Sequence, residues 1–267
     1  MGLINDWLTF YENAWFWQFP AATLLLSVVA FLVFALPWTL LAYLDPAWAR
    51  PYKIQQKAFQ VTRYFWPNMG RIAMNSSIMF LLLIFAWPLL KVSPIQADIL
   101  PAWYVVVLQI LFFILLDDFL YYWMHRYMHE NKWLLKHVHS VHHRIRNTCA
   151  LDGNYFHWLE FVMTGSLALV GPMLVGAHIY VLYGWIILRQ LEAADGHAGY
   201  DFRWNPLHWL PLYQGPVYHD FHHAKFKGNY AGFLPYLDRF WGTYVKEYLA
   251  YREKPARHSS ARHRQGE

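Results

Sequence analysis

Apolar stretches set the plan of this chain. They cover roughly residues 21 to 44, 74 to 90 and 101 to 124, each close to the about 17 to 25 residues that a helix needs to cross about 30 Å of hydrocarbon. Three membrane spans are expected there. Trp15, Trp17, Trp38, Trp48, Trp87, Trp103, Tyr121 and Tyr122 crowd their ends, where amphipathic rings settle at headgroup level. A fourth stretch, 161–191, is interrupted by Gly171, Pro172 and Gly176. The interruption leaves runs of about ten and about fifteen residues, each short for a full span. The expectation is a broken hairpin that enters the membrane and turns back, with a pair of tilted full spans giving the same sidedness.

Polar positions orient these elements. Residues 1–20 carry Asp6 and Glu12 and no Lys or Arg, whereas the loop 45–73 carries Arg50, Lys53, Lys57, Arg63 and Arg71. Positive residues mark the cytoplasmic side, so that loop is expected there and the N-terminus opposite. The first span is too long, and has the wrong flank, for a cleaved signal peptide. Counting onward, residues 125 to 157 return to the cytoplasmic side, and Arg126, Lys132, Lys136, Arg144 and Arg146 agree. Three units follow: a transmembrane region 1–124, a catalytic region 125–248 and a polar, disordered tail 249–267.

Composition supports a bilayer. Hydrophobic residues make up 57% and aromatics 20%, while charged residues fall to 15%, below the about 25% usual in soluble domains. The net charge of +5 lies between and after the spans rather than on one soluble face, which excludes nucleic acid as the partner. Cys149 is the single cysteine, so no disulfide framework, cysteine-ligated iron–sulfur cluster or zinc ribbon can be built, and packing is its expected role.

Histidine spacing supplies the candidate chemistry. Three clusters stand out: His125-x-x-x-His129, His139-x-x-His142-His143 and His219-x-x-His222-His223. With 15 histidines in 267 residues, one H-x-x-H-H arises by chance in about one such chain in twenty, and two in about one in a thousand. Imidazole is the commonest nitrogen ligand of first-row metals, and eight donors exceed one tetrahedral structural site. Two metal ions are therefore expected. Residues three and four apart share a helix face, so each box is expected on one face of a helix, the first continuing the third span. Asp118 precedes His125 on that face and could hold a ligand imidazole as an outer acceptor, or serve as a helix-end carboxylate. His157 and His197 flank the hairpin on the same side and could reach the cluster. His137, His178, His258 and His263 are assigned to structure or solvent.

An all-nitrogen site suits iron or zinc. Hydrolysis would need an open metal position and a nearby carboxylate base. So many imidazoles facing a membrane suggest instead a metal pair that activates O2 against an unactivated C–H bond of a lipid. The rival outside enzymes is a histidine-rich metal transporter or binding protein. A transporter should place its ligands near the midplane, but these boxes follow the spans at one surface.

With these three boxes the chain resembles the fatty acid hydroxylase and sterol desaturase superfamily of membrane di-iron oxygenases. Over roughly residues 110 to 248, including "LEAADGHAGYDFRWNPLHWLPLY" and "YHDFHHAKFKGNYAGFLPYLDRFWGT", it is most similar to the C4-methylsterol oxidases. The resemblance implies an all-α, multi-pass membrane protein with a cytoplasmic histidine-rich helical cap. It implies as metal ligands His125, His129, His139, His142, His143, His157, His197, His219, His222 and His223, with Glu160 retained beside them. It also implies two iron ions, O2, and electrons from NAD(P)H through cytochrome b5 or another separate carrier. The substrate would be a membrane lipid, with the C4 methyl of a sterol precursor as the specific case and fatty-acyl hydroxylation or desaturation as the alternative. Where the methylsterol oxidases have an acidic residue after the paired histidines and prolines further on, this chain has Arg144, Thr148 and, after His157, Trp158. That departure bears on the substrate rather than the metals. The implied location is the endoplasmic reticulum in a eukaryote and the inner membrane in a bacterium.

Overall fold

In the computed structural model, which describes residues 2–202 and 204–253, the protein is all-helical, with two isolated bridges and no strand among the described residues. We number the helices α1 (Gly2–Leu8), α2 (Ala14–Leu44), α3 (Val61–Leu90), α4 (Trp103–Glu130), α5 (Lys132–His137), α6 (Trp158–Leu174), α7 (Ile179–Gly196), α8 (Gly215–Lys225) and α9 (Tyr236–Phe240). Helices α2, α3 and α4 are long and apolar enough to cross a membrane. Their outward faces stay apolar, with Leu25, Val33, Leu40, Leu81, Phe85, Leu108, Leu111 and Leu115 exposed. A helix bare of polar groups on its outer face fits lipid, where all backbone bonds close within the segment.

Two ends can be told apart by their contacts. At one end α1 rests on the end of α3, where Trp7 Nε1 donates to the Phe85 carbonyl at 2.7 Å and Lys91 pairs with Asp6 at 2.6 Å. At the other end the basic loop before α3 lies against the histidine-bearing segments. There the Ile54 amide donates to the Gly199 carbonyl at 3.0 Å, and Gln55 Nε2 donates to Asp220 Oδ1 at 3.1 Å. The N-terminus and the histidines thus lie at opposite ends.

Helix α3 begins at Val61, well before the apolar run at 74. Its first turns are held by polar contacts that hydropathy does not register: Asn68 Nδ2 donates to Asp152 Oδ1 at 2.8 Å, and Arg71 and Asn75 both donate to the Phe156 carbonyl at 3.2 Å. The sequence favours a broken hairpin here, and α6 and α7, of 17 and 18 residues, form two arms, neither of which is among the three helices long and apolar enough to cross a membrane. Helix α6 continues through Gly171 and Pro172, and the break falls at 175–178. The tip meets the loop between α3 and α4, where the Gln96 amide donates to Ala177 and the Ile179 amide donates back to Gln96. Pro172 has no N–H to donate to the Ala168 carbonyl four residues back, and Trp185 Nε1 donates to that carbonyl instead at 2.8 Å. Gly171 lets α4 come close, since a Cβ there would stand 2.8 Å from the Phe113 ring.

The polar tail also starts later than expected. Residues 247–253 are helical, because Tyr248 and Tyr251 pack with Val217, Tyr218 and Phe221 of α8 and Tyr251 donates to Asp220 Oδ2 at 2.5 Å. The rest of that tail, with His258 and His263, lies outside the described residues.

Candidate metal centre

Three local structures present the histidine boxes. The last turns of α4 carry His125 and His129, the 3-10 turn His139–Arg144 carries the second box, and α8 carries the third. His197 caps the end of α7. Together they place nine imidazoles in two groups, each of which could hold a metal ion. His125, His129, His139, His143 and His222 form one, and His142, His197, His219 and His223 the other. His129 is half-buried and the other eight are buried.

Within the groups the nitrogens that face one another are Nε2 atoms. In the five-membered group His139 and His129 approach to 2.9 Å, His222 and His143 to 3.0 Å, and His125 and His139 to 3.2 Å. In the four-membered group His219 and His197 approach to 2.9 Å, and His223 lies 3.1 Å from both His142 and His219. These are not ordinary hydrogen bonds. Nδ1–H of His125 donates to the Tyr230 carbonyl at 2.7 Å, that of His222 to Gly228 at 2.7 Å, that of His197 to Ala193 at 2.9 Å and that of His223 to Ile145 at 3.1 Å. A carbonyl can only accept, so these four rings carry their proton on Nδ1 and turn a bare Nε2 lone pair inward. Lone pairs about 3 Å apart repel unless a cation lies among them, and about 3 Å is the edge produced by metal–nitrogen bonds of about 2.1 Å at right angles. The donor set fits metal ions.

Electrostatics points the same way. Burial, reinforced by neighbouring imidazoles, holds His139, His142, His143, His219, His222 and His223 well below the usual histidine pKa, and burial lowers His197 to about 4. They are neutral at pH 7, the form that ligates metal.

Glu160 accepts from His139 Nδ1 at 2.7 Å, the outer-acceptor position that orients a ligand ring. Asp118 does not take that position. Its Oδ1 accepts the amides of Gly232, Phe233 and Leu234 at 3.1, 2.8 and 3.4 Å, so it reaches His125 only through the segment that carries the Tyr230 carbonyl. Sharing a face with His125 does not suffice, because seven residues along a helix is about 10 Å. Among the described residues His157 joins neither group. Its Nδ1 accepts the Leu159 amide at 3.2 Å, which makes it the N-cap of α6.

Sequence reasoning missed Asp238 and Phe226. Asp238 accepts the Tyr230 and Ala231 amides at 2.9 and 2.8 Å and the Tyr218 and Thr243 hydroxyls at 2.8 and 2.6 Å, fixing the segment behind His125. Phe226 has φ +64° at the end of α8 and packs 4.2 Å from the His143 ring. Neither residue carries a spacing signal.

A chamber opens on the four-membered group. Phe19, Leu24, Met79, Leu83, Ala168 and Ile186 supply apolar walls, and His197 and His219 stand at its inner end. None of the five histidines of the other group lines it.

The fatty acid hydroxylase family profile matches residues 110–243. A very-long-chain aldehyde decarbonylase of Oryza sativa subsp. japonica is 38% identical over 214 residues, covering 78% of this chain and 80% of the relative. Methylsterol monooxygenase 1 of Rattus norvegicus is 32% identical over 256 residues, covering 94% and 85%. Methylsterol monooxygenase 2-2 of Arabidopsis thaliana is 39% identical over 166 residues, covering 61% and 62%. No solved structure matches the chain.

Proposed function

This chain belongs to the fatty acid hydroxylase family, and on that premise we propose that it is an O2-dependent di-iron oxidoreductase that hydroxylates an unactivated C–H bond of a membrane lipid, specifically the C4 methyl group of a sterol precursor. The nine gathered histidines are its iron ligands. Iron supplies the activation of O2 that no side chain can. The balance is one C–H bond and O2, with two electrons and two protons, giving C–OH and water. Electrons come from NAD(P)H through a separate carrier such as cytochrome b5. The basic residues around the boxes support a cytoplasmic position for the site, in the endoplasmic reticulum of a eukaryote or the inner membrane of a bacterium.

The observation that carries this reading is the apolar chamber ending on His197 and His219. A hydrolase presents its metal to water, with a carboxylate base beside it. Here predominantly apolar walls lead to the ligands and suit a hydrocarbon. The rings contribute orientation: Nδ1 protons pinned to carbonyls and to Glu160 keep the Nε2 atoms aimed inward. For a transporter the ligands would line a path through the spans, whereas these groups lie where the spans end. Aldehyde decarbonylation is the second reading, favoured by the 38% identity to the rice relatives.

The test is metal analysis of the purified protein, followed by lipid extraction from cells expressing wild type or His222→Ala. About two irons per chain and accumulation of 4-methylsterols in the variant are expected. Unchanged sterols with altered long-chain aldehydes would shift the substrate to the second reading, and a single tightly held zinc would overturn the oxygenase.

A further inference from the structure

The chamber is mostly apolar, and the polar side chains of Thr23, Thr164, Ser27 and Gln190 in its walls are hydrogen-bonded within the protein, whereas a charged set stands near the histidines. Tyr121 from α4 and Arg189 and Glu192 from α7 enter it there. Arg189 Nε lies 3.0 Å from Asp117 Oδ2, and its Nη1 donates to Glu192 Oε2. The guanidinium stands 5.9 Å from the Tyr121 ring centroid and 5.1 Å from that of Phe233. The Arg189 and Glu192 side chains are only 11% and 13% exposed. Burying a guanidinium with two carboxylates is costly and gives a fold little that apolar packing would not, so the arrangement calls for a ligand.

Two atoms of this set are left open. Among the described residues neither the Tyr121 hydroxyl nor Glu192 Oε1 has a hydrogen-bond partner. Both border the histidines. A Cβ on Gly196 would stand 3.9 Å from Glu192 Oε1 and 3.9 Å from His219 Cβ, and the Tyr121 ring lies 5.2 Å from His125. One guanidinium set against two carboxylates disfavours an anionic headgroup such as a free fatty acid. A pure hydrocarbon end would leave both polar atoms unpaired. A hydroxyl matches them, because it can donate to the carboxylate and accept from the phenol.

We propose that Glu192 and Tyr121, braced by Arg189, bind a neutral hydroxyl group carried two bonds from the methyl carbon that is oxidised. This rests on the lipid-hydroxylase reading of the chamber. The polar pair lines the same chamber as His197 and His219, so the hydroxyl is held close to the reacting carbon, and in a sterol oxidised on its C4 methyl group the adjoining ring carbon C3 bears it. Apolar walls then take the rest of the molecule, and the hydroxyl sets which carbon faces the metal ions.

The experiment compares binding of a 4,4-dimethyl-3-hydroxysterol and its 3-deoxy counterpart to iron-loaded protein in nanodiscs, read by tryptophan quenching. Wild type is expected to prefer the hydroxylated ligand by about tenfold or more. Glu192→Gln and Tyr121→Phe should each remove most of that preference, with affinity for the deoxy sterol and iron content unchanged. Equal weakening of both ligands, or no preference in wild type, overturns the proposal. A second pair, a long-chain alcohol and the matching alkane, separates the two levels of inference. If wild type takes neither sterol but prefers the alcohol in a Glu192-dependent way, the sterol reading falls and the hydroxyl site stands; if that preference survives Glu192→Gln, the hydroxyl site falls.

Discussion

The two histidine groups differ in number and in what they face. Five imidazoles meet beneath the segment 228–231 and Phe226, with Glu160 fixing one of them. Four meet at the end of the apolar chamber, and two of those four line it. None of the fuller set lines the chamber, while two of the smaller set border the space that a substrate would occupy. On the proposed reading this divides the labour: open coordination belongs where the carbon arrives, and the five-membered group completes the metal pair.

Deleting one ligand from each group tests this division with the largest effects. His219→Ala should empty the four-membered site and leave the other loaded, so that metal content falls from about two ions to one. His222→Ala should do the reverse. Activity should fall by more than about 100-fold in both, since even outer partners of ligands cost about 10- to 100-fold. Loss of both ions in either variant would mean that the groups fold and load as one unit.

Glu160→Leu should act on one side only. It removes the acceptor for His139 Nδ1, freeing that ring to rotate, and should weaken metal at the five-membered group by about 10- to 100-fold. Titration with a chelator, followed by metal analysis, would show one of the two ions released at lower chelator concentration than in wild type and the other unchanged.

Acid provides a graded version of the same test. The buried histidines have folded pKa values below the unfolded value of about 6.5, with His197 near 4. As pH falls below about 6.5 the unfolded chain takes up protons that the folded apo-protein refuses, so apo stability declines, whereas above about 6.5 these groups make stability independent of pH. Bound metal adds its own linkage, because acid competes for the same nitrogens. Melting of apo-protein at pH 8 and pH 5.5 should show a clear fall at the lower pH; an unchanged melting temperature would mean that the imidazoles are solvated.

What could be read from sequence follows from the range of each interaction. The three long apolar runs and the histidine boxes that come together were legible, because hydropathy and i to i+4 spacing are local properties. Assignment of histidines to groups was not. Each box was expected to present a single face, yet His142 and His143 diverge into different groups, as do His222 and His223. Adjacent residues are turned by about 100° on an α-helix and about 120° on a 3-10 turn, so a paired histidine reaches both sites where the two lie side by side. Asp118 shows the same limit: its face was legible, but its partners come from 232–234, more than a hundred residues away. Asp118→Asn should therefore act indirectly, weakening the hold on the Tyr230 segment and reducing turnover by less than about tenfold, since only one of the ligand rings is affected.

His157 gives the smallest expected effect and the sharpest test of five against four. As a tenth ligand it would make the groups equal, but it caps α6 through Nδ1. Asparagine caps a helix equally well, whereas alanine in place of a capping side chain costs about 1 kcal/mol. His157→Asn should leave melting temperature and metal content at wild-type values. His157→Ala should lower the melting temperature by about 2 to 4 °C and leave metal content unchanged. Loss of one ion in His157→Asn, with the cap preserved, would instead make His157 a ligand of the four-membered group. The chamber-side site would then be as crowded as its neighbour, and coordination number could no longer explain which of the two receives the substrate.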